Sequence, residues 1–408
     1  MRLRRPVSSR TRGVATDTAS TPIRARSSSS AKDRCSAARR SEGRSHGRSG
    51  HQEITAMKLL QNMTVMGHER VAFHQDPESG LRAVIAIHDT TLGNALGGTR
   101  RWCYASEADG IMDVLRLSEG MTYKAAAADL AMGGAKSVIL LDTPGQEPTE
   151  AQARAMGRFV ETMQGAYIAA EDVGVSPQFC AWMRDETAHV MGDEDNGGDP
   201  SPFTSLGCFN AMKACLSFAG RPVDFHGVTV GIQGLGATGF KLARFVREAG
   251  GEVVATEVNP HAIRQAQDEL GVRVLGDDED LFTMPEIDIL APCALGAVLD
   301  AKNIETLSAS IVCGTANNIL AEPEADGQIL KDRGIVYAPD FVANAGGVIR
   351  LAGLYLGLTE AQVDEKVERI EETTLEVLRR TASHASAYDA AVAYARERID
   401  AGKSAATA

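Results

Sequence analysis

The stretch GVTVGIQGLGATG, residues 227–239, is the most informative segment of this chain for its fold. An apolar run with strand character leads directly into three glycines spaced as GxGxxG, and a helical pattern follows. Gly234 permits the tight turn, Gly236 lets the backbone approach a pyrophosphate, and Gly239 lets the helix pack closely against the strand. Backbone N–H groups and the positive end of the helix can then bind phosphates. The motif alone is weak evidence, but its place between a strand and a helix predicts a dinucleotide-binding domain.

A carboxylate stands where such a domain needs one. Glu257 lies 21 residues beyond Gly236, at the end of the next strand (252–257), where it can accept hydrogen bonds from the adenosine ribose. Because it would repel a 2′-phosphate, NAD is favoured over NADP as cofactor; the alternative is a solvated glutamate at a strand end. The predicted cofactor-binding residues of this region are Gly234, Leu235, Gly236, Ala237, Thr238, Gly239 and Glu257.

Alternating strands and helices predict a larger α/β chain around this motif. Further strands at 287–292, 310–314 and 334–339 indicate a doubly wound parallel sheet, and a helix is expected to begin after Asn344, which can cap it. The upstream pattern is βαβαβ, with elements at 82–88, 106–128, 136–141, 149–163 and 166–170. The Gly- and Asp-rich segment 192–202 indicates a hinge. The predicted organisation is a substrate and oligomerisation domain (57–197), a Rossmann NAD-binding domain (198–345) and a C-terminal helical segment (346–408).

The N-terminal segment 1–56 is predicted to be a disordered or non-native extension, with translation starting near Met57. Residues 1–50 contain 13 Lys+Arg against 3 Asp+Glu and few large apolar side chains. Burial therefore cannot offset the entropy of ordering them. An organelle transit peptide has a similar composition, but the apolar face of a targeting helix is hard to find here.

The composition of the remaining chain argues against several classes of function. The net charge of −12, despite the basic N-terminus, makes the rest too acidic for a nucleic-acid binder. No apolar run reaches the roughly 20 residues that cross a bilayer. Seven cysteines, an odd number without a CxxC pair, argue against disulfides and a zinc site. We therefore expect a cytoplasmic protein without a metal, a nucleic-acid partner or a membrane partner.

Two lysines and an aspartate carry the candidate chemistry. Lys124 precedes four alanines, and Lys136 follows two glycines closely and precedes an apolar strand, so both ammonium groups are expected near the interior. A solvated surface position is the usual alternative for a lysine. A buried lysine must be paired or have a lowered pKa, as catalytic bases do. Asp172 follows a strand, where α/β sheets place ligand sites, and the adjacent Glu171 should face the other side. A capping carboxylate is the alternative for Asp172.

Eight segments between about residues 57 and 350 carry a resemblance to a known family. The segments are IAIHDTTLGNALGGTR, LRLSEGMTYKAAAADLAMGGAKSVI, AAEDVG, SPFTSLG, GLGATG, APCALGAVL, GTANN and YAPDFVANAGGVI. In this order they resemble the Glu/Leu/Phe/Val dehydrogenases, most closely the leucine and valine members. Eight motifs in one order are far more specific than any single motif.

The resemblance implies a two-domain enzyme that binds its substrate between the domains. It would oxidise a branched-chain L-amino acid (leucine, valine or isoleucine) with NAD, reversibly, to the 2-oxo acid, ammonium and NADH. Lys124 would bind the substrate carboxylate and help to depress the pKa of Lys136, which would activate water; Asp172 would transfer the amine proton. A homo-oligomer, dimer or octamer, is also implied. Residues matching the nicotinamide and substrate regions of the family are Thr204, Asn317, Asn318 and Asn344, and those matching its side-chain pocket are Leu96, Gly97, Met121, Ala170 and Val348.

Three departures from the family pattern bear on the site. Ala135 replaces the glycine usual before the catalytic lysine, and Asp129 occupies a position that is more often glycine. Both could crowd the loop that carries Lys136. The segment RLAGLYLG (350–357) replaces an acidic segment found in relatives, which puts the pocket wall and subunit contacts in doubt.

Other functions remain open at this point. Phenylalanine dehydrogenases tend to have other residues where Thr99 and Leu295 stand, and a glutamate enzyme needs an extra cation in the pocket, for which no candidate is obvious. A non-catalytic NAD-binding regulator would be expected to lack at least one of the three polar groups. His68 and His88 are expected to be structural, because no second ligand stands at metal-binding spacing.

Overall fold

The computed structural model describes residues 58–406 except Asp195, Asp277 and Leu295. The predictions made for residues 1–56 and for Leu295 lie outside this part of the chain. Within it, no helix combines the length and the hydrophobicity that a membrane span requires.

The first domain begins with a helix and three strands and then alternates between the two. Helix starts follow the side-chain caps in the sequence: Ser106 and Thr149 each accept a hydrogen bond from the backbone N–H three residues later. In chain order the elements are α1 (Leu59–Met66), β1 (Arg70–Asp76), β2 (Leu81–Asp89), β3 (Ala95–Trp102), α2 (Glu107–Ala127), β4 (Gly133–Leu140), α3 (Glu150–Glu161), β5 (Tyr167–Glu171) and α4 (Pro177–Arg184).

These strands form one mixed sheet in the order β1-β2-β4-β3-β5. Strand β3 is parallel to both β4 and β5, whereas β2 is antiparallel to both of its neighbours. Since successive side chains of a strand point to opposite faces, the register puts Lys136 and Leu96 on one face and Ser137 and Thr99 on the other. The Ser137 face is closed by a core with α3 and α4. The Lys136 face is therefore the one left to meet α2 and the second domain.

The second domain contains a six-stranded sheet with the order β11-β10-β9-β6-β7-β8, and its strand pairs are parallel. Counted along the chain, this is the 3-2-1-4-5-6 order of a Rossmann fold, whose switch point lies between β6 and β9. The predicted α/β fold with a doubly wound second domain is thus confirmed. The elements are α5 (Ser201–Phe218), β6 (Thr229–Gln233), α6 (Ala237–Glu248), β7 (Glu252–Thr256), α7 (Pro260–Leu270), β8 (Arg273–Val274), β9 (Ile289–Pro292), α8 (Ala301–Thr306), β10 (Ile311–Val312), α9 (Pro323–Asp332), β11 (Val336–Tyr337) and α10 (Asp340–Ala343).

The chain ends in helices that contact both domains. Helices α11 and α13 pack on α5, whereas α14 returns to the first domain and packs on α2. The contact with α2 is apolar and buries Tyr123 and Ala126 against Ala391 and Ala395. The C-terminal segment therefore ties the two domains together. Its elements are α11 (Gly346–Tyr355), α12 (Glu360–Glu368), α13 (Ile370–Arg380), a 3₁₀ turn (Thr381–Ser383) and α14 (Ala387–Ala406).

Several elements differ from the sequence-based prediction. Strands β1 and β3 were not predicted: β1 is an edge strand with a largely exposed pattern, and β3 contains two glycines and two arginines, which obscure its alternation. The cap predicted at Asn344 is wrong. Asn344 follows α10, and α11 begins at Gly346 without a side-chain cap, because the Asn344 amide makes other hydrogen bonds. The predicted domain boundary near residue 197 stays a prediction.

Candidate active site

A lysine from β4, an arginine from β3 and an aspartate directly after β5 form a buried ion cluster. Lys136 Nζ lies 3.1 Å from Asp172 Oδ2, and Arg100 Nε lies 2.8 Å from the same oxygen. Lys136 is only 5% exposed. A buried charge is tolerated when oppositely charged groups surround it at hydrogen-bond distance, as here. Lys136 and Asp172 were both singled out from the sequence, and the structure brings them into direct contact.

Two glycines make room for this cluster. A Cβ at Gly98 would lie 2.8 Å from Asp172 Cβ and 2.6 Å from the Glu171 carbonyl oxygen, so a larger residue would displace Asp172. A Cβ at Gly134 would lie 2.0 Å from the Thr122 backbone nitrogen, so α2 approaches β4 only because this residue is glycine. The glycine pairs before Arg100 and Lys136 are therefore packing requirements of the site.

The three charges set one another's protonation. Burial alone would raise the pKa of Asp172, but Lys136 and Arg100 outweigh it and lower that pKa to about 2. Burial lowers the pKa of Lys136, Asp172 opposes this, and the Arg100 cation adds to the lowering. The sequence analysis expected this effect from Lys124, whose charge does interact with that of Lys136. The structure adds Arg100, whose guanidinium shares the carboxylate with Lys136.

Arg100 was missed by the sequence analysis, as were its other partners. Its Nη1 lies 3.0 Å from Asp113 Oδ2, and the Tyr104 hydroxyl donates to that oxygen at 2.5 Å. Arg100 is thus held between two carboxylates. Arg100 lies two residues after Gly98 on β3 and therefore on the same sheet face, but this spacing is informative only once β3 is known, and the sequence analysis missed that strand.

The second predicted lysine links the two domains. Lys124 lies in the last turn of α2, and its Nζ donates to Asn317 Oδ1 at 2.9 Å. Burial, together with the charge of Lys136, lowers the pKa of Lys124 to about 8, although Asp340 and Asp172 act in the opposite direction. The influence of Lys136 and Asp172 shows that Lys124 lies within electrostatic reach of the ion cluster.

Asn344 extends this link into the second domain. Its Nδ2 donates to Asn317 Oδ1 at 2.9 Å and to the carbonyl oxygens of Thr315 and Ala316, each at 3.2 Å. Its Oδ1 is buried without a hydrogen-bond partner in the described part of the chain. A buried acceptor of this kind is costly unless a ligand or water uses it. Asn344 is therefore poised to accept a hydrogen bond from a group bound beside Lys124.

The glycine loop has the geometry of a pyrophosphate site. Gly234 has φ +95°, and a Cβ at Gly239 would lie 1.9 Å from the Gly234 carbonyl oxygen, so both positions require glycine. A Cβ at Gly236 would meet no atom within 4 Å, which leaves the backbone open to a ligand. Helix α6 begins at Ala237 without a side-chain cap, so its first N–H groups can bind phosphate. Thr238 Oγ1 lies 2.8 Å from Thr315 Oγ1 and joins the loop to the segment after β10.

Glu257 closes the other side of this loop. Its Oε2 accepts from the Leu235 backbone N–H at 2.7 Å, and its Oε1 accepts from the N–H groups of Val258 and Asn259 at 2.7 and 2.8 Å. Burial alone would raise the pKa of Glu257, but these three donors lower it. The carboxylate is therefore ionised at neutral pH and stands next to the loop, as the predicted ribose contact requires.

Comparison with known proteins places this geometry in a family. The model of the Glu/Leu/Phe/Val dehydrogenase dimerisation domain matches residues 68–189, and that of glutamate/leucine/phenylalanine/valine dehydrogenase matches residues 257–406. Leucine dehydrogenase of Geobacillus stearothermophilus is 43% identical over 317 residues, which cover 77% of this chain and 85% of the relative. The chain belongs to the Glu/Leu/Phe/Val dehydrogenase family. As a member it is an amino-acid dehydrogenase that works with a nicotinamide cofactor.

Relatives of this amino-acid dehydrogenase differ in their named substrates. Valine dehydrogenase of Streptomyces virginiae is 41% identical over 322 residues, covering 77% of this chain and 88% of the relative. The crystal structure of L-tryptophan dehydrogenase from Nostoc punctiforme has a TM-score of 0.74 and 36% identity, and the match covers 85% of this chain and 99% of that one. Family membership therefore establishes the reaction class and leaves the side chain of the substrate to be determined.

The residues expected to line the side-chain pocket are apolar and sit in or against the core between the domains. Leu96 and Ala170 are 1% and 3% exposed and lie on the sheet face of Lys136, and Val348 packs against the same core cluster. Met121 is half-buried, one turn before Lys124 on α2. Gly97 lies, by the register of β3 and β4, on the sheet face opposite to Lys136, and a Cβ there would lie 1.6 Å from the Ala135 carbonyl oxygen. Its place in the pocket stays a prediction.

The residues expected near the nicotinamide are spread over two segments. Thr204 lies in the first turn of α5, where its Oγ1 donates to the Pro200 carbonyl oxygen at 3.2 Å. Asn318 has φ +52°, and its carbonyl oxygen accepts from the Ala297 N–H at 2.6 Å. Asn317, beside it, is exposed and contacts Lys124. Of these residues, Asn317 is the one that contacts the predicted substrate-binding lysine.

The departures from the family pattern do not crowd Lys136. Ala135 is fully buried in the core on the opposite sheet face, so its methyl group points away from the cluster. Within RLAGLYLG, Arg350 pairs with Glu360 and lies over the Phe203 ring, while Leu351 is buried. The segment also reaches the first domain, because its Tyr355 hydroxyl accepts a hydrogen bond from Asn94 Nδ2 at 3.2 Å. Asp129 turns its side chain toward the C-terminal helices.

The two singled-out histidines hold helices in place. His68 Nε2 lies 2.9 Å from Ser118 Oγ, and His88 contacts Thr122 Oγ1 at 2.8 Å and the Met66 carbonyl oxygen at 2.9 Å. Burial and the neighbouring His88 lower the pKa of His68 to about 4, so it is neutral at physiological pH. These contacts fit the structural role expected for both residues.

Proposed function

We propose that this enzyme oxidatively deaminates a branched-chain L-amino acid with NAD. The observation that carries the proposal is the contact between Lys136 and Asp172, 3.1 Å apart, within electrostatic reach of Lys124. Such a cluster combines a lysine of lowered pKa with an ionised carboxylate, the two groups that deamination requires. Retention of all three groups speaks against a non-catalytic NAD-binding regulator.

In the proposed reaction each group has one task. The Lys124 ammonium holds the substrate carboxylate, and Asp172 holds the amino group. Once Asp172 has taken the extra proton of the substrate's amino group, a bound nicotinamide would accept hydride from Cα, which leaves an iminium on the substrate. Neutral Lys136 takes a proton from the water that adds to this carbon and returns it to the nitrogen of the resulting carbinolamine. Ammonia then leaves as Lys136 takes the hydroxyl proton, which gives the oxo acid. The lowered pKa of Lys136 favours its neutral form, which is the form that can accept the proton.

The cofactor proposed is NAD rather than NADP. Glu257 is an ionised carboxylate next to the Leu235 N–H, and a 2′-phosphate placed there would meet like charge. Gly234 to Gly239 would hold the pyrophosphate through the N–H groups at the start of α6. The open space at Gly236 and the uncapped helix start support this assignment.

The substrate proposed is an aliphatic amino acid, because apolar groups line the expected pocket. Leu96, Ala170 and Val348 offer buried methyl and methylene surface, worth about 0.8 kcal/mol per buried methylene, and no partner for a side-chain carboxylate. Arg100 is engaged by Asp172 and Asp113, so it is not free to bind a glutamate side chain. An aromatic amino acid is the second candidate, since a tryptophan dehydrogenase is among the similar structures.

A substrate panel tests the proposal. NADH formation at 340 nm is measured with leucine, valine, isoleucine, phenylalanine, tryptophan and glutamate at alkaline pH, each with NAD and NADP. Leucine, valine and isoleucine should have the highest kcat/KM and differ by about 10- to 200-fold at most. A higher kcat/KM for tryptophan or phenylalanine would select the second candidate. The absence of turnover with every amino acid would overturn the proposed activity.

We also propose that the enzyme self-associates through α1 and β1. Helix α1 is apolar but has no buried residue, and Leu60 and Val65 are 78% and 79% exposed. Phe73 on the edge strand β1 is 53% exposed. Exposed apolar side chains beside the unpaired edge of β1 are suited to contact a second copy of the chain. Light scattering should show an oligomer for the native protein and a smaller species for Leu60→Glu combined with Phe73→Glu; an unchanged mass would exclude this surface.

A further inference from the structure

Asp129 has a left-handed backbone conformation, which glycine adopts most readily. It follows the end of α2 with φ +56°, its own N–H bonds the Ala126 carbonyl oxygen, and the Leu130 N–H bonds that of Ala125. This is a Schellman cap, whose left-handed residue is usually glycine. A carboxylate here also lies at the negative end of the helix dipole. Both the conformation and the charge of Asp129 therefore oppose the local structure.

Three cations from the C-terminal helices offset that cost. Lys366 Nζ donates to the Asp129 carbonyl oxygen at 2.6 Å and lies 3.1 Å from its Oδ2. Arg398 pairs with Oδ1, and Arg369 Nη1 lies 3.8 Å from Oδ2. Burial alone would raise the pKa of Asp129, but Lys366 and Arg398 lower it, so it stays ionised. The Asp129 carboxylate of the first domain thus contacts cations on α12, directly after α12 and on α14.

The contact acts on the end of the helix that carries Lys124. The Ala128 N–H bonds the Lys124 carbonyl oxygen at 3.0 Å, so the cap and the lysine share one turn. Lys136, in contrast, lies within β4 and is held by strands on both sides. A change at Asp129 should therefore disturb Lys124 and leave Lys136 in place.

We propose that Asp129 is a positioning residue: a built-in anion that clasps the end of α2 to the C-terminal helices and thereby fixes Lys124 for the substrate carboxylate. This inference rests on the proposed role of Lys124. A cavity of about 290 Å³ adjoins the carboxylate and is lined by the same three cations and by Thr373 and Tyr394. Removing the carboxylate would therefore open a positively charged site that a small free anion could fill.

Asp129→Asn and Asp129→Gly test the clasp in the full-length enzyme. Both remove the charge, and glycine also removes the backbone strain, so the pair separates the two effects. Each should raise KM for the amino acid about tenfold, because a misplaced Lys124 would weaken its ion pair with the substrate carboxylate. Because Lys136 stays in place, kcat should be nearly unchanged. Formate, added at constant ionic strength with a bulky sulfonate salt, should return KM of Asp129→Gly toward the wild-type value.

A matched control removes a neighbouring ion pair that does not reach α2. Glu397 lies on the same helix as Arg398 and pairs with Arg380. Glu397→Gln breaks that pair and should leave KM unchanged. Unchanged KM in both Asp129 variants would overturn the clasp, as would an increase that formate does not reverse. Wild-type enzyme without amino-acid turnover would instead refute the proposed function, so the two failures are distinguishable.

Discussion

Replacing Arg100 by methionine tests how the ion cluster is held. Methionine keeps most of the side-chain length but removes the cation that contacts Asp172 at 2.8 Å and Asp113 at 3.0 Å. Lys136 then remains as the partner of Asp172. We expect the variant to fold less stably and to lose turnover, because Asp172 is less firmly oriented and less strongly ionised.

The magnitude follows from the pKa of Asp172. Burial would raise it, but Lys136 and then Arg100 bring it from 3.8 to about 2, which corresponds to about 2 kcal/mol in favour of the ionised form. Breaking a fully buried pair costs about 3–5 kcal/mol. Since Lys136 stays in place and Asp172 is 14% exposed, we expect a smaller loss than for a fully buried pair, about 2 to 3 kcal/mol.

The sign of the pH dependence is also determined. A carboxylate whose pKa is lowered on folding stabilises the protein above its ordinary pKa of 3.8, and this contribution disappears as pH falls toward about 2. The stability difference between wild type and Arg100→Met should therefore be full at neutral pH and shrink in acid. Arg100 also lowers the pKa of Lys136, so the rise of kcat with pH should move to higher pH in the variant.

Urea unfolding followed by tryptophan fluorescence is a suitable assay, because both tryptophans, Trp102 and Trp182, lie in the first domain. Arg82→Met is the matched control: Arg82 also contacts two carboxylates, Glu107 and Asp142, but both are more than 70% exposed. The control should lose less than about 1 kcal/mol. An Arg100→Met variant no less stable than this control, with an unmoved kcat profile, would refute the reasoning.

Three further predictions follow from the proposed roles. Lys136→Ala should lower kcat by orders of magnitude and leave NAD binding measured by fluorescence nearly intact; near-normal turnover would contradict its role. In the wild type, KM for the amino acid should rise as pH rises through about 8, where Lys124 loses its proton, and Lys124→Ala should show a high KM without this rise. Glu257→Ser should reduce the preference for NAD over NADP in kcat/KM, and a wild type that already prefers NADP would exclude the assigned ribose contact.

The glycine loop and Lys136 could be predicted because each depends on local sequence. Gly234 and Gly239 have backbone roles set by their spacing after a strand, and the structure shows both requirements directly. Lys136 stands out because a charge at the start of an apolar strand must have a partner. Such signals need no knowledge of which strands are neighbours.

Arg100 could not be identified in the same way. Its partner Asp172 is 72 residues away, and the two meet only because β3 lies between β4 and β5 in the sheet. Strand β3 was itself missed, since its two glycines weaken strand propensity. Gly98 has no space for a side chain beside Asp172. The glycine that the site requires therefore also weakened the sequence signal of the strand.

Arg100 also bears on which group acts as the base. Two cations keep Asp172 ionised, so it is a weak proton acceptor while Lys136 is charged. When Lys136 becomes neutral, Asp172 loses one of these cations and its proton affinity rises, so the pair titrates as a unit. Arg100 stays protonated throughout and limits that rise. Asp172 is therefore suited to hold the amino group of the substrate, and Lys136, whose pKa is lowered by burial and by Arg100, is suited to take the proton from water.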